Sequence, residues 1–163
     1  MHAQIVPPMD RTLGALSAIL TKAEAHCTDR GIKPEALLAF RLFPDMFPLT
    51  RQVQLACDFA ARAAARMAGE EPQGFPDIET TFPELQARIA ATRGYMARFD
   101  ATAYDGAATR DITIKMRGND VTMAGLNYLM MYSLPQFHFH ATTAYNILRH
   151  NGIEVGKRDY MGA

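Results

Sequence analysis

Apolar residues recur at steps of three and four along four long stretches of this sequence, a pattern typical of helices that bury one face. In the first stretch, Asp10 is placed to cap a helix that runs to about Asp29, and Gly31 and Pro34 then end it. The apolar positions of this predicted helix are Leu13, Leu16, Leu20 and Ala23. The spacing places all four on one face, which we expect to pack on the rest of the protein.

Residues 34–48, which follow the first predicted helix, are too apolar for a solvated linker. Their apolar side chains are Leu37, Leu38, Phe40, Leu42, Phe43, Met46 and Phe47. We expect this segment to pack across the helices. If its phenylalanines were exposed instead, they would offer a docking surface to another protein.

Two further helices are predicted in the middle of the chain. One starts near Pro48 and runs to Met67, and most of its apolar stripe is alanine. Such small side chains let a neighbouring helix approach closely, or leave room for a ligand. Residues 69–79 contain two prolines and two glycines and are predicted to be a loop. Thr81 and Glu84 then form the capping-box pattern of the next helix. Its apolar positions are Leu85, Ile89, Met96 and Phe99.

Polar and apolar residues alternate over residues 111–117, and Gly118 follows, which predicts a short β-hairpin before the last helix. From Leu126 onward, apolar steps of four and three predict a fourth helix that ends at Asn151 and Gly152. Its seam positions are Leu126, Met130, Ser133, Phe137, His140, Ala144 and Ile147. The sequence therefore predicts an all-α fold, an antiparallel four-helix bundle in a single domain that spans residues 1–163.

Charge and cysteine content narrow the classes of function. Lys plus Arg equals Asp plus Glu, at 17 each, so no overall field draws the chain to nucleic acid or to an anionic membrane. We predict neither a nucleic-acid partner nor a membrane partner. Cys27 and Cys57 lie far apart in sequence, which favours free thiols in a reducing compartment. Residues 1–10 lack the pattern of a signal peptide, so we expect a cytoplasmic protein.

His140 is the residue most open to a chemical role, because it falls in the apolar seam of the last helix. A buried imidazole needs a hydrogen-bond partner or a metal, and it serves either a structural or a functional purpose. His138 faces away from it, because two residues turn a helix by about 200°. Gln136 lies one turn before His140 on the same face, and Pro135 frees a backbone carbonyl there. A small polar pocket at this point is therefore a reasonable hypothesis.

The second predicted helix offers polar partners for that pocket. Gln52, Gln54 and Asp58 flank its alanine stripe. Gln54 and Asp58 lie one turn apart and would approach His140 if the two helices are neighbours. The alternative is that they form a solvated polar face.

Three sequence blocks resemble an uncharacterised branch of the DinB/YfiT-like superfamily of helical bundles. The blocks are residues 43–49 (Phe-Pro-Asp-Met-Phe-Pro-Leu), residues 51–58 (Arg-Gln-Val-Gln-Leu-Ala-Cys-Asp), and residues 147–152 together with 156–159. The resemblance covers nearly the whole chain. It implies an up-down-down-up bundle with a long crossover, and a homodimer formed through helix faces.

The resemblance also bears on metal binding. Superfamily members often hold a divalent metal with one histidine from the second helix and two from the fourth, and some use low-molecular-weight thiols. Here His140 matches the second histidine of the fourth helix and Gln136 stands at the first. In the second helix the nearest candidates are Gln54 and Asp58, and Phe59 stands where this branch tends to have histidine. One imidazole with two amides would hold a first-row metal weakly.

Two functions follow as hypotheses. The first is a non-catalytic or small-ligand-binding dimeric bundle that has lost the three-histidine site, with a pocket lined by His140, Gln136, Gln54 and Asp58. In this hypothesis no residue is catalytic and no cofactor is required. The second is a divalent-metal-dependent hydrolase or thiol transferase, in which His140 and Asp58 hold zinc or nickel and activate a water molecule.

Overall fold

Helix α1 extends over His2–Arg30 in the computed structural model of the chain, which describes residues 1–162. The predicted start at Asp10 is therefore wrong, and the helix includes Pro7 and Pro8. These prolines remove the backbone bonds to the carbonyls of residues 3 and 4, close to the helix start. Complete burial of Ile5 and Met9 holds this N-terminal part against the core. At the other end Gly31, with φ 63°, caps the helix as predicted.

The segment after α1 packs only in part. A short helix α2 covers Pro34–Leu38, and Leu37 and Leu38 are buried. By contrast, Phe43 is 64% exposed and Phe47 54% exposed. The expectation that the whole segment packs across the bundle is thus met at its start and wrong at its end.

Helices α3 and α4 follow the sequence pattern closely. Helix α3 covers Leu49–Ala68, and its alanine stripe is fully buried. Helix α4 covers Phe82–Ala97 and begins with the predicted capping box. The Thr81 hydroxyl accepts from the Glu84 backbone N–H at 3.3 Å, and the Glu84 carboxylate accepts from the Thr81 N–H at 3.0 Å.

The predicted hairpin is also present. After a 3₁₀ turn at Ala101–Tyr104, strand β1 (Asp111–Met116) pairs antiparallel with strand β2 (Asn119–Ala124). Arg117 and Gly118 both have positive φ, 50° and 85°, which is the geometry of a tight two-residue hairpin turn. Ile112 and Ile114 point to the core, because alternate side chains of a strand face the same side.

The last helix contains a wide turn that the sequence pattern did not predict. It consists of α5 (Gly125–Asn127), a π-helical turn (Tyr128–Ser133) and α6 (Leu134–His150). A π turn holds an additional residue, so it shifts the face that later residues present. The wider turn also relieves the crowding between the Pro135 ring and the preceding carbonyls.

This shift corrects the predicted seam of the last helix. From Ser133 onward the seam is buried as predicted, through Phe137, His140, Ala144 and Ile147. Before the π turn, Leu126 is 47% exposed and Met130 is 54% exposed, so the prediction is wrong there. Tyr128 and Leu129 are buried in their place.

The long helices pack into one bundle with a continuous core. Helix α3 contacts both α4 and α6, and α1 contacts α3, α4 and α6. A short helix α7 (Lys157–Met161) follows the last long helix and packs on α1. The fold is therefore mostly helical, with one small two-stranded sheet. Across residues 1–162, every helix is too short or too polar to cross a bilayer.

Candidate functional site

His140 lies on α6 where this helix meets α3, and only 6% of its surface is exposed. Its Nδ1 atom is 2.8 Å from Oε1 of Gln52 on α3. The Gln52 amide in turn donates from Nε2 to the backbone carbonyl of Phe47 at 3.1 Å. A chain of two hydrogen bonds therefore links the imidazole to the loop that precedes α3.

This chain fixes which ring nitrogen of His140 carries the proton. The Gln52 NH₂ group is turned to the Phe47 carbonyl, so the oxygen of the amide faces the ring. An amide oxygen only accepts hydrogen bonds, so Nδ1 of His140 is the donor. The other nitrogen, Nε2, then holds a lone pair and makes no hydrogen bond to residues 1–162.

Aromatic rings surround the imidazole. Phe59 on α3 stacks on it, with ring centroids 5.6 Å apart and an interplanar angle of 11°. Phe139 meets it edge-on at 5.2 Å and 87°. Burial, together with the positive charge of Arg51, lowers the pKa of His140 to about 4. The ring is therefore neutral at pH 7.

Gln136 does not join the His140 hydrogen bonds. It is half-buried one turn earlier on α6, and its side chain makes no hydrogen bond within the described part of the chain. The side chain on the buried face of the last helix that bonds to α3 before His140 is that of Ser133, two turns earlier. Its hydroxyl donates to the Phe59 carbonyl at 3.5 Å. Gln136 is thus near the site by position only.

Gln54 and Asp58 lie on another face of α3, so the predicted pocket that joins them to His140 is wrong. The Gln54 amide donates to the Glu79 carboxylate at 2.8 Å. Asp58 accepts from Arg88 at 2.5 Å and from Arg62 at 3.0 Å. The reason is rotation, because Gln54 is turned by about 200° from Gln52 around the helix axis. Gln52, which was one of three polar candidates on this helix, is the one that meets His140.

Asp58 belongs instead to a buried ion cluster around Arg88 of α4. The Arg88 guanidinium also pairs with Glu79 at 3.0 Å and Asp77 at 3.3 Å, and donates to the Pro76 carbonyl at 3.0 Å. Burial lowers the pKa of Arg88, but hydrogen bonding and attraction to the carboxylates outweigh it and raise the pKa overall. Sequence reasoning missed Arg88, although it falls between Leu85 and Ile89 on the buried side of α4.

The residues around His140 do not fit a divalent metal. Within residues 1–162, no three His, Cys, Asp or Glu side chains come close enough together to hold one. Phe59 occupies the place next to the imidazole on α3. Cys57 is buried, and burial raises the pKa of its thiol to about 12, so it is not a thiolate at pH 7. Only one nitrogen donor, Nε2 of His140, is left.

Comparison with known proteins adds three findings. A family profile described as a domain of unknown function (DUF1993) matches residues 1–161. The chain is also similar to the crystal structure of a DinB family member protein from Shewanella denitrificans, with 40% sequence identity and a TM-score of 0.93. That match covers 99% of this chain and 92% of the other. No functionally curated protein matches the chain.

Proposed function

Because the chain belongs to the DUF1993 family of domains of unknown function, an uncharacterised DinB-like branch, we propose that it acts as a non-catalytic, dimeric binding bundle. The observation that carries this proposal is the environment of His140. The ring is held by Gln52 and by two phenylalanines, and within residues 1–162 it belongs to no group of three metal-ligating side chains.

Electrostatics at His140 point the same way. Arg51 is close enough to lower the pKa of His140, so its charge also opposes any cation at the ring. A neutral or anionic molecule would not meet this opposition. Such a ligand would donate an N–H or O–H to the lone pair of Nε2 and place its apolar part on Phe59 or Phe139. The proposal therefore includes a small-molecule ligand and requires no cofactor.

Metal titration tests the non-catalytic proposal. Purified protein is titrated with Zn²⁺, Ni²⁺ and Mn²⁺ by calorimetry, beside the His140→Gln variant. We expect no tight stoichiometric binding, and the same heats for both proteins. One equivalent of metal bound with submicromolar affinity, and lost in His140→Gln, would overturn the proposal.

A metal-dependent hydrolase or thiol transferase is the second candidate, and one observation favours it. Metal-binding histidines usually donate their other N–H to an oxygen, as His140 does to Gln52. The Nε2 lone pair is therefore oriented as in a metal ligand. The titration above separates the two candidates, because only this one requires His140 to hold a metal.

The homodimer is a further part of the proposal. The last long helix exposes four large apolar side chains, and the loop before α3 exposes two phenylalanines; we call these six residues the apolar face. Its members are Leu126, Met130, Met131, Phe139, Phe43 and Phe47. None carries a charge, and large uncharged patches on a surface mark interaction sites. A second copy fits this face, because an isologous contact pairs apolar residues with apolar residues.

The up-down-down-up helix order is proposed on the basis of side-chain pairs. Helices α3 and α4 are parallel. Asp58 pairs with Arg88, and further along both segments Glu70 pairs with Arg98 at 2.7 Å. Parallel neighbours need a long connection, and residues 69–81 supply it. Helices α3 and α6 are antiparallel. Gln52, near the start of α3, contacts His140, whereas Phe59, later on α3, contacts Ser133, which precedes His140 in the chain.

A cytoplasmic location is proposed on the state of the cysteines. Cys27 and Cys57 are both free thiols in the core. Reduced thiols are the usual state in a reducing compartment. Cell fractionation tests this proposal, and recovery in a secreted or membrane fraction would contradict it.

A further inference from the structure

A separate cavity of about 420 Å³ lies between α1, α6 and α7, and His140 is not among its lining residues. Pro7, Pro8 and Met161 form apolar walls, and Arg11, His138 and Tyr160 contribute polar groups. Its size is within the range of small-molecule sites, roughly 300–1,000 Å³. Few polar groups in a mostly apolar cavity are also typical of such sites.

A short hydrogen-bond chain links His138 to Tyr160 and Thr142. The Thr142 hydroxyl donates to the Tyr160 hydroxyl at 3.0 Å, and the Tyr160 hydroxyl lies 3.4 Å from Nδ1 of His138. A hydroxyl that accepts from Thr142 can still either donate to Nδ1 or accept from it, so either ring nitrogen of His138 can carry the proton. Burial lowers the pKa of His138, so the ring is neutral at pH 7.

Arg11 supplies the cavity with a positive charge. No acidic side chain lines the cavity, and Arg11 has no ion pair within residues 1–162. The adjacent Asp10 is occupied by Arg93, at 2.7 and 2.9 Å. Asp159 is occupied by Lys22 and by the Gly156 backbone N–H. The cavity therefore combines apolar walls, one imidazole ring and one cation.

We propose that this cavity binds a small carboxylate with an apolar tail. The Arg11 guanidinium donates to the carboxylate beside the His138 ring, and Pro7, Pro8 and Met161 contact the tail. Charge-assisted bonds of this kind are stronger than neutral ones, so Arg11 should dominate the affinity. The site is independent of the proposal for His140.

The test uses hexanoate as the probe and hexanol as its neutral counterpart. Binding to the full chain is measured by two-dimensional amide NMR, with Thr12, His138 and Tyr160 as reporters. Arg11→Gln removes the cation, and Arg30→Gln removes an equal charge at the opposite end of the same helix. Both arginines are exposed, so both variants should fold.

We expect hexanoate to shift all three reporters in the wild-type protein and in Arg30→Gln. In Arg11→Gln its affinity should fall at least about tenfold, which is the loss of one charge-assisted hydrogen bond. Hexanol should bind at least about tenfold more weakly than hexanoate for the same reason. Three results would overturn the proposal. They are an equal loss of hexanoate affinity in both variants, equal affinities of the wild-type protein for hexanol and hexanoate, and no shift of the reporters at millimolar hexanoate.

Discussion

The hydrogen bond between His140 and Gln52 joins two long helices through a single pair of buried side chains. Both residues are almost fully buried, so neither group can turn to water if its partner is lost. A buried polar group without a partner costs more than the bond itself contributes. At the scale of single residues, loss of either partner should therefore weaken the α3–α6 interface.

Gln52→Leu should lower the free energy of unfolding by about 1–3 kcal/mol, because it leaves the His140 Nδ1 donor and the Phe47 carbonyl unpaired. Gln136→Leu is the control, since Gln136 makes no hydrogen bond within the described residues and should change stability by less than about 0.5 kcal/mol. Urea unfolding measures both. Equal effects of the two substitutions would show that the His140–Gln52 bond contributes nothing.

The His140 ring also makes stability depend on pH. Its pKa is about 4 in the folded protein, against an ordinary value of 6.5. Between these values the unfolded chain binds a proton that the folded protein does not, so stability falls as the pH falls through this window. The full loss from this group is about 3 kcal/mol, and it is reached near pH 4.

Unfolding measured from pH 7 to pH 4 should therefore show a shallower loss of stability in His140→Gln than in the wild-type protein. The difference in slope isolates His140, because all other groups titrate in both proteins. Parallel curves would mean that the imidazole is protonated as easily in the folded protein as in the unfolded chain.

At the scale of elements, the Arg88 cluster holds residues 75–79 on helices α3 and α4. Arg88 reaches Asp58 on α3, Asp77 and Glu79 in the connection, and the Phe75 ring at 5.3 Å. Arg88 makes all of these contacts from the middle of α4. The connection is therefore fixed along its length and not merely tied at its ends.

Arg88→Met should lower the free energy of unfolding by about 3–5 kcal/mol, because the buried carboxylate of Asp58 loses its strongest partner. Arg98→Met removes the exposed pair with Glu70 and should cost less than about 1 kcal/mol. Thermal and urea unfolding check the two variants side by side. A loss below 1 kcal/mol in Arg88→Met, on the order of a surface pair, would rule out a structural role for the cluster.

The junction of the hairpin and the last helix depends on the absence of a side chain at Gly125. A Cβ atom there would lie 2.0 Å from the Ala107 carbonyl oxygen, which is backbone and cannot turn away. Gly125→Ala should lower the free energy of unfolding by about 1–3 kcal/mol.

Gly94→Ala on α4 is the control, because a Cβ atom at Gly94 would meet no atom within 4 Å. It should raise stability by about 0.5–1 kcal/mol. A neutral Gly125→Ala variant, by calorimetry, would contradict the close approach.

The sequence pattern predicted α3, α4 and the hairpin because each has a local signal that does not depend on distant residues. It missed the first turns of α1, since Pro7 and Pro8 argue against a helix and only burial of Ile5 and Met9 offsets them. It missed the π turn, because the spacing of apolar residues does not show that the turn holds an additional residue and rotates the buried face of the helix. It identified His140 but chose the wrong partners, because the rotation of α3 decides between Gln52 and Gln54.

At the scale of the whole molecule, the proposed dimer places the apolar face between two copies of the chain. Met131 is 78% exposed and Phe139 is 56% exposed, and they lie eight residues apart on the last helix. Charges introduced at these two positions would be buried without partners in a dimer, at a cost of several kcal/mol. They cost little in a monomer, because both positions face water there.

The double substitution Met131→Glu and Phe139→Glu should therefore convert the proposed dimer to a monomer and leave the helix content unchanged. Light scattering after gel filtration gives the mass, and circular dichroism gives the helix content. As a control, Ile78→Glu alters another exposed apolar residue, outside the apolar face, and should leave the dimer intact. A wild-type protein that is already monomeric at micromolar concentration would contradict the proposed dimer.

Burial of both native thiols has a practical consequence for studying that assembly. Burial raises the pKa of Cys27 as well as that of Cys57, so neither sulfur reacts readily with a maleimide. Asp120, in contrast, is exposed beside the tip of the hairpin. A single cysteine introduced there, as Asp120→Cys, would take up a fluorophore or spin label selectively. Distances between labels on two copies could then be measured in solution without removing any native residue from the core.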